Sequence, residues 1–453
     1  MTTMQRRVRW RDTSYLPQVV GLFSVAFLVA FETFAVATAL PVVAVELDGL
    51  SWYAVSFAAP AATGIAAMTC AAWWCDRHGH ARPIVTGVLV FGVGLVFAGA
   101  APTMEWFVTG RAVQGIGAGL VSVALYVLVA RAFPAHLRPR AFVVLTSAWV
   151  LPAVVGPVIA GAVAEHVGWR WVFLGVPLVA AGALVLLRPA LPSSHGDDAT
   201  AVPWARILRS AAAAVAVFAV TIGGQRDVRG WQALVATGFV VALVAAVPLL
   251  PAGTLQAARG LPGVIATRSL LGTGLLATES FVPLALVRLR DLTPTLAGLF
   301  LTSTALFWFA GAWASDRWLM PWWRVRLGVM SVIVALVSVL FIPVTGVPVP
   351  VIAVGWAFGG LGMGLAMPAL SSLLLEHSAV GEEGRNSASM QTSDAVADAL
   401  GLAVCSGLFG WLVTIGEATP FITVFLVGLV VAVLAVPASW RATPVATAAR
   451  SRR

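Results

Sequence analysis

Five ionisable side chains stand out inside long apolar runs of this sequence: Glu32, Arg111, Glu279, Asp394 and Asp398. A charged group at the centre of a bilayer costs about 2.5–3.5 kcal/mol or more, so each is a candidate for function. A carboxylate there can take up and release a proton. Burial favours its neutral form and a nearby guanidinium favours the anion, so a small movement can switch it. Glu32 lies nine residues before Pro41, and Arg111 about seven residues into its own run. At 1.5 Å per residue both sit about 10–14 Å from one surface and can meet. Glu32 is therefore expected to carry the proton and Arg111 to tune it; a static tie between two helices is the other reading. Asp394 and Asp398, spaced i, i+4, share one helix face about 10–16 Å into their run. They form a second protonation site or a binding point for cations, unless Asp394 is interfacial and only Asp398 is buried. Glu279 is a substrate or proton site, or a structural counterpart of Glu32. Gln114, Trp149 and Trp308, with Phe309, Trp356 and Phe358, offer polar and aromatic surface on which a cation could stack. The same aromatics would serve equally well as packing.

The surroundings of these groups follow from composition. Of 453 residues 60% are hydrophobic and 10% charged, with a mean hydropathy of +0.93, too little polar surface for a soluble protein. The runs are continuously apolar and do not alternate, so they read as spanning helices and not as barrel strands. No lysine occurs in the chain. That removes the P-loop lysine of a self-contained ATP-driven pump and any Schiff-base chemistry. The formal charge of +9 comes from arginines in short loops, where they orient the chain in a membrane, so no nucleic-acid partner is expected. Cys70, Cys75 and Cys405 have no metal-ligand spacing. No HExxH, paired metal ligands or Ser-His-Asp arrangement is present, so neither an enzyme nor a metal or cofactor site is expected. The apolar stretch from about Leu16 to Pro41 is too long for a cleavable signal.

Six spans are expected near 17–41, 51–73, 83–102, 105–131, 139–164 and 169–189, and six more near 262–288, 294–315, 325–344, 348–373, 387–414 and 419–438. Two further apolar runs, 208–224 and 229–250, lie between. Arg6, Arg7, Arg9 and Arg11 before the first span, the loops with Arg77 and Arg82, then Arg131, Arg138 and Arg140, and the tail arginines place both termini in the cytoplasm. Twelve and fourteen spans both satisfy this. The strength of the run from Trp231 to Leu250 favours fourteen, although Arg226, Arg229, Arg288 and Arg290 then fall in outer loops. The expected divisions are a cytoplasmic N-terminus (1–16), a six-helix half (17–189), a linker with two extra helices (190–261), a second six-helix half (262–438) and a cytoplasmic tail (439–453).

An internal repeat supports the two halves. Ala71-Ala72-Trp73-Trp74-Cys75-Asp76-Arg77 is echoed by Gly311-Ala312-Trp313-Ala314-Ser315-Asp316-Arg317, and Glu32-Thr33-Phe34 more weakly by Glu279-Ser280-Phe281. Together these residues resemble the major facilitator superfamily, specifically its drug:proton antiporters of the fourteen-helix type. Asp76-Arg77-His78-Gly79 matches the centre of the family's loop signature after helix 2, with Ala72, His80 and Ala81 departing from it. Arg111-Ala112-Val113-Gln114-Gly115-Ile116-Gly117 matches the helix-4 signature. Gly156-Pro157-Val158-Ile159-Ala160-Gly161 resembles the helix-5 antiporter signature, with Pro152 and Ala160 where glycines are usual. Trp169-Arg170-Trp171 follows it, and Ala39-Leu40-Pro41 ends a helix-1 signature that has Glu32 as its acid.

The resemblance implies an all-α membrane protein of two pseudo-symmetric six-helix halves plus two central helices. It would export hydrophobic or cationic small molecules in exchange for protons by alternating access, with a proton symporter or facilitator importing a nutrient as the alternative. Asp76, Arg77 and Gly79, with Asp316 and Arg317 in the second half, would form latches that break as the halves rock; orientation by charge is the simpler reading. Gly156-Pro157 would bend its helix and seal the path against proton leak, and Gly156, Gly161, Gly115, Gly117 and Gly119 would let helices approach closely. The arginine-only composition suggests a GC-rich bacterial source, hence the inner membrane. The expected partners are the solute, protons and lipid, and the chain is expected to act as a monomer.

Overall fold

Inside a bilayer no water satisfies backbone N–H and C=O groups, so apolar runs of this length close their hydrogen bonds internally as helices. The computed structural model describes residues 16–53, 55–133, 138–188, 191, 202–223, 230–249, 252–318, 320–344, 346–378 and 383–442. Its helices are α1 (Leu16–Glu46), α2 (Val55–His78), α3 (Ala81–Gly99), α4 (Met104–Ala132), α5 (Arg138–Val163), α6 (Arg170–Leu187), α7 (Trp204–Gly223), α8 (Trp231–Ala246), α9 (Leu261–Glu279), α10 (Val282–Arg290), α11 (Pro294–Trp318), α12 (Pro321–Val339), α13 (Val349–His377), α14 (Glu383–Leu412) and α15 (Thr419–Arg441). Among the described residues thirteen segments are long and apolar enough to cross a membrane. α9 and α10 together make one of them, and α8 is a shorter apolar helix packed on α7. This is a multi-pass membrane protein.

The packing repeats between halves. α1 touches α5 and α6, α4 touches α2 and α3, and α3 touches α6; α9 touches α14 and α15, α13 touches α11 and α12, and α12 touches α15. The halves meet through α5 against α11 and α2 against α14, a pair of contacts that the same two-fold exchanges. The inserted pair sits to one side, α7 lying on both α2 and α14. The end where α1 begins is the near end; the end where it finishes is the far end.

A glycine ladder sets the spacing in each half. A Cβ at Gly115 or Gly119 would strike α2, and one at Gly117 would strike α3. In the second half a Cβ at Gly360 or Gly364 would strike α11, and one at Gly362 would strike α12. The Gly-x-Gly-x-Gly of α4 and that of α13 are thus structural equivalents. A Cβ at Gly360 would overlap the carbonyl oxygen of Thr304. Gly360→Ala is therefore expected to cost about 1–3 kcal/mol by overpacking, seen as a lower Tm of the purified protein.

Several boundaries differ from the sequence reading by up to five residues, α2 ending at His78 and α12 at Val339 among them, and two of the differences have a clear physical reason. α1 continues five residues past Pro41, which lies within it; the apolar stretch Val42–Val45 gives the helix no reason to stop. The expected span 262–288 is interrupted at Ser280 and Phe281, where α9 gives way to α10. Proline at position 283 favours a new helix start there. Arg290, in a loop expected outside, donates through Nη2 to the Phe341 carbonyl at 3.0 Å. It caps the end of α12, a role independent of membrane orientation.

Candidate functional site

The first cluster begins with a proline. Pro60 has no N–H, so the carbonyl of Ser56, four residues earlier in α2, lacks its helical donor. Arg111 Nε donates to that oxygen at 3.2 Å. Arg111 Nη1 also binds Glu32 Oε1 of α1 and Gln114 Oε1 one turn along α4. All three side chains are buried, with Glu32 5%, Arg111 4% and Gln114 2% exposed. Thr63 Oγ1 donates to the Ala112 carbonyl at 2.8 Å, holding α2 and α4 in register beside the pair. A carboxylate and a guanidinium are thus joined directly in a buried site, where gain or loss of one proton changes the electrostatic energy strongly.

The second cluster joins α9 to α14. Arg268 Nε donates to Asp394 Oδ2 at 2.7 Å, and Arg268 Nη1 to Ser371 Oγ at 3.2 Å. Ser269 Oγ lies 2.8 Å from Asp394 Oδ1 and 2.9 Å from Ser393 Oγ. Asp398 accepts from Thr273 Oγ1 at 2.6 Å. Asp394 is therefore charge-balanced, whereas the contact of Asp398 is a neutral hydroxyl. Sequence reasoning missed Arg268, although it lies inside the expected span 262–288 and meets the rule that selected Glu32.

Glu279 is half-buried at the end of α9 and has no hydrogen-bond or ionic partner among the described residues. The glycine ladders explain the contrast with Glu32. Arg111 lies four residues before Gly115; the position four before Gly360 is Trp356. The second half carries an indole where the first carries the guanidinium. Trp356 is fully buried and stacks on Phe300 at 6.4 Å, which removes it from the aromatic surface expected to meet a solute.

The far end is sealed between halves. Tyr53 Oη donates to the Ser280 carbonyl at 2.9 Å, the group freed by the break after α9. Its ring lies 5.8 Å from Phe281 and 6.2 Å from Phe409, which are 4.9 Å from each other. A Cβ on Gly161 would lie 2.8 Å from the Pro294 carbonyl, Gly298 packs on the Pro157 carbonyl, and Thr302 Oγ1 donates to Val154 O at 3.0 Å. Thr295 Oγ1 donates to Glu165 Oε2 at 2.7 Å. Continued toward the near end, this register would pair Trp149 with Phe307 and Trp308. Those side chains are instead 41%, 44% and 39% exposed. The side-chain pairing of α5 with α11 therefore ends between Thr302 and Phe307, although the backbone of α11 there stays packed on Gly360 and Gly364 of α13. Trp149 and Trp308 stand where the α5–α11 pairing ends; Phe309 and Phe358 are also exposed.

The Tyr53 bond is a testable part of the seal. Tyr53→Phe removes about 1 kcal/mol from the closed far end, roughly a fivefold shift in population. A cysteine at Glu279 is expected to react correspondingly faster with a membrane-impermeant thiol reagent added on the far side.

The remaining sequence candidates are positioned as follows. Asp76 is exposed, and Arg77 lies 5.8 Å over the Trp73 ring. Gly79 ends α2 at φ +77°, where a side chain would be strained. The side chains of Asp316 and Arg317 lie outside the described residues. Gly156 differs from its expected role: a Cβ there meets only ordinary contacts, 3.5 Å from Phe34 Cβ. Close approach of α5 to its neighbours rests on Gly161 and on the Pro157 carbonyl facing Gly298.

Comparison with known proteins places this geometry in context. The sequence profile of the Major Facilitator Superfamily matches residues 22–402. The chain is similar to "Efflux pump FUS6" of Gibberella fujikuroi, 27% identical over 297 residues, covering 64% of this chain and 50% of that protein. It is also similar to "MFS efflux transporter aclA" of Aspergillus oryzae, 30% identical over 236 residues, covering 49% of this chain and 41% of that one. The chain thus spans about half the length of the curated relatives it matches. Among solved structures, a POT family transporter in complex with 5-aminolevulinic acid superposes with a TM-score of 0.70 at 15% identity, over 94% of this chain and 96% of that one. The human organic anion transporter MFSD10 superposes with a TM-score of 0.60 at 15% identity, over 92% and 99%. These likenesses concern the fold.

Proposed function

The chain belongs to the Major Facilitator Superfamily, and on that premise we propose that it is a proton-driven exporter of hydrophobic or cationic small molecules. The buried Glu32–Arg111 pair beneath a sealed far end carries this reading. With the halves parted at the near end, Glu32 is ionised and neutralised by Arg111. A solute enters between Trp149 and Trp308, with its cationic group toward the unpartnered Glu279. Rocking opens the far end, a proton reaches Glu32, the ion pair loosens, and the solute leaves. Return to the near-open form delivers the proton to the near side. Asp398, whose described contact is a hydroxyl, serves as a second proton acceptor; Asp394 is held charge-neutral by Arg268.

The arginine loops support a cytoplasmic near end, and the lysine-free composition supports a bacterial inner membrane. The efflux relatives support the outward direction of transport, and the Gly156-Pro157 segment with the extra helix pair supports a fourteen-helix antiporter. The test is ethidium accumulation in cells expressing the chain, with and without an uncoupler. Expression is expected to lower accumulation, and the uncoupler to erase the difference. Lower accumulation that survives the uncoupler would refute proton drive, and raised accumulation would refute export.

A further inference from the structure

We propose that the groove between α3 and α6 holds one acyl chain of an anionic phospholipid whose phosphate is gripped by Arg82 and Arg188. The groove has a volume of about 820 Å³ and is walled by α3 and α6, with Leu89, Val93, Val96 and Val185 among its exposed apolar side chains. Its α3 wall runs from Val85 through Leu89, Gly92 and Val96 to Phe97. At 1.5 Å per residue that is about 18 Å, close to one leaflet of a bilayer core about 30 Å thick. Gly92 and Pro177 face each other across it: a Cβ on Gly92 would come no nearer than 3.8 Å to Pro177. A glycine and a proline leave the trough that two larger side chains would fill.

The charge at its mouth selects the occupant. On α3 the positions 82, 85, 89 and 96 recur at three-, four- and seven-residue spacing, so Arg82 heads the stripe that lines the groove. On α6 the positions 177, 181, 184 and 188 form the matching stripe, and Arg188 itself lines the groove. Each wall therefore ends in an arginine, and both arginines are exposed at the near end. Apolar walls of one leaflet's depth below two guanidinium groups fit an acyl chain attached to an anionic headgroup. A zwitterionic lipid would leave the two arginines without net compensation. Two arginines at a membrane surface are worth on the order of thirtyfold in affinity for an anionic over a neutral lipid.

The experiment uses the full chain purified in detergent, titrated with phosphatidylglycerol, phosphatidylcholine or inorganic phosphate. Bound lipid is counted by native mass spectrometry and stability is read as Tm. Phosphatidylglycerol is expected to bind at least tenfold more tightly than phosphatidylcholine and to raise Tm, and inorganic phosphate to do neither. The double variant Arg82→Gln/Arg188→Gln should lose the preference while keeping its Tm in phosphatidylcholine. Gly92→Phe, which fills the trough from the lipid side, should lose the bound lipid with both arginines present. Retained preference in the double variant, retained lipid in Gly92→Phe, or an equal response to inorganic phosphate would each overturn the proposal. The outcome is independent of which solute the chain moves.

Discussion

Replacing Arg111 with alanine is expected to abolish proton-driven transport and to destabilise the protein by about 3–5 kcal/mol. Three acceptors lose their donor at once: the Glu32 carboxylate, the Gln114 amide oxygen and the Ser56 carbonyl that Pro60 cannot serve. The loss is large because a carboxylate left buried beside apolar helices has neither water nor a counter-charge. The double variant Arg111→Met/Glu32→Gln removes both charges and should recover most of the Tm without recovering transport. That divergence separates a functional pair from a structural one. A double variant that regained proton-driven transport along with stability would mean that the pair only ties α1 to α4.

The second large effect concerns the seal. Glu165 and Thr295, one on each side of the interface between halves, are hydrogen-bonded at 2.7 Å. Glu165→Cys/Thr295→Cys, joined through two mixed disulfides by a short bis-methanethiosulfonate, should reduce transport to background, and a reducing agent that cleaves those disulfides should restore it. Each single variant treated alike should keep its activity. Cys75 and Cys405 are buried and Cys70 is half-buried, so the background labelling is small. The loss should be complete because transport by alternating access needs these surfaces to part in every cycle. Full activity of the cross-linked protein would mean that the far end does not open along this seam.

The fold and the site were legible to different depths. Apolar runs and loop arginines carried the helices and their order, because lipid imposes a length and a polarity that composition reports directly. The meeting of Glu32 with Arg111 followed from depth alone, and survived an error in the end of α1. Proline at position 41 reads as a stop, yet a membrane helix accommodates it when neighbours satisfy the freed carbonyl. The break at Ser280 and Phe281 was legible only through Pro283, which favours a helix start but also occurs inside membrane helices. Nothing in Thr278-Glu279-Ser280-Phe281 forbids a helix, and the carbonyl it frees finds its donor in Tyr53, 227 residues away in sequence.

Arg268 was legible and overlooked. The equivalence of Gly115-x-Gly117-x-Gly119 with Gly360-x-Gly362-x-Gly364 was also present in the sequence, as a better repeat than the weak echo of Glu32. It needed the contacts with α2 and α11 to show that the two ladders perform the same packing. With that alignment, Trp356 opposite Arg111 explains why Glu279 stands without a guanidinium. Aromatic roles were the least legible. A helix sequence does not say which tryptophan is packed away, and only the burial of Trp356 against Phe300 separates it from the exposed Trp149 and Trp308.

The most direct measurement is solute movement in sealed proteoliposomes under an imposed pH difference, comparing the native chain with Glu32→Gln. The native chain should drive ethidium against its gradient only when the pH difference is present. Glu32→Gln should still exchange ethidium down its gradient but show no response to pH. A Glu32→Gln protein that kept full pH-driven accumulation would contradict the assignment of the proton to Glu32.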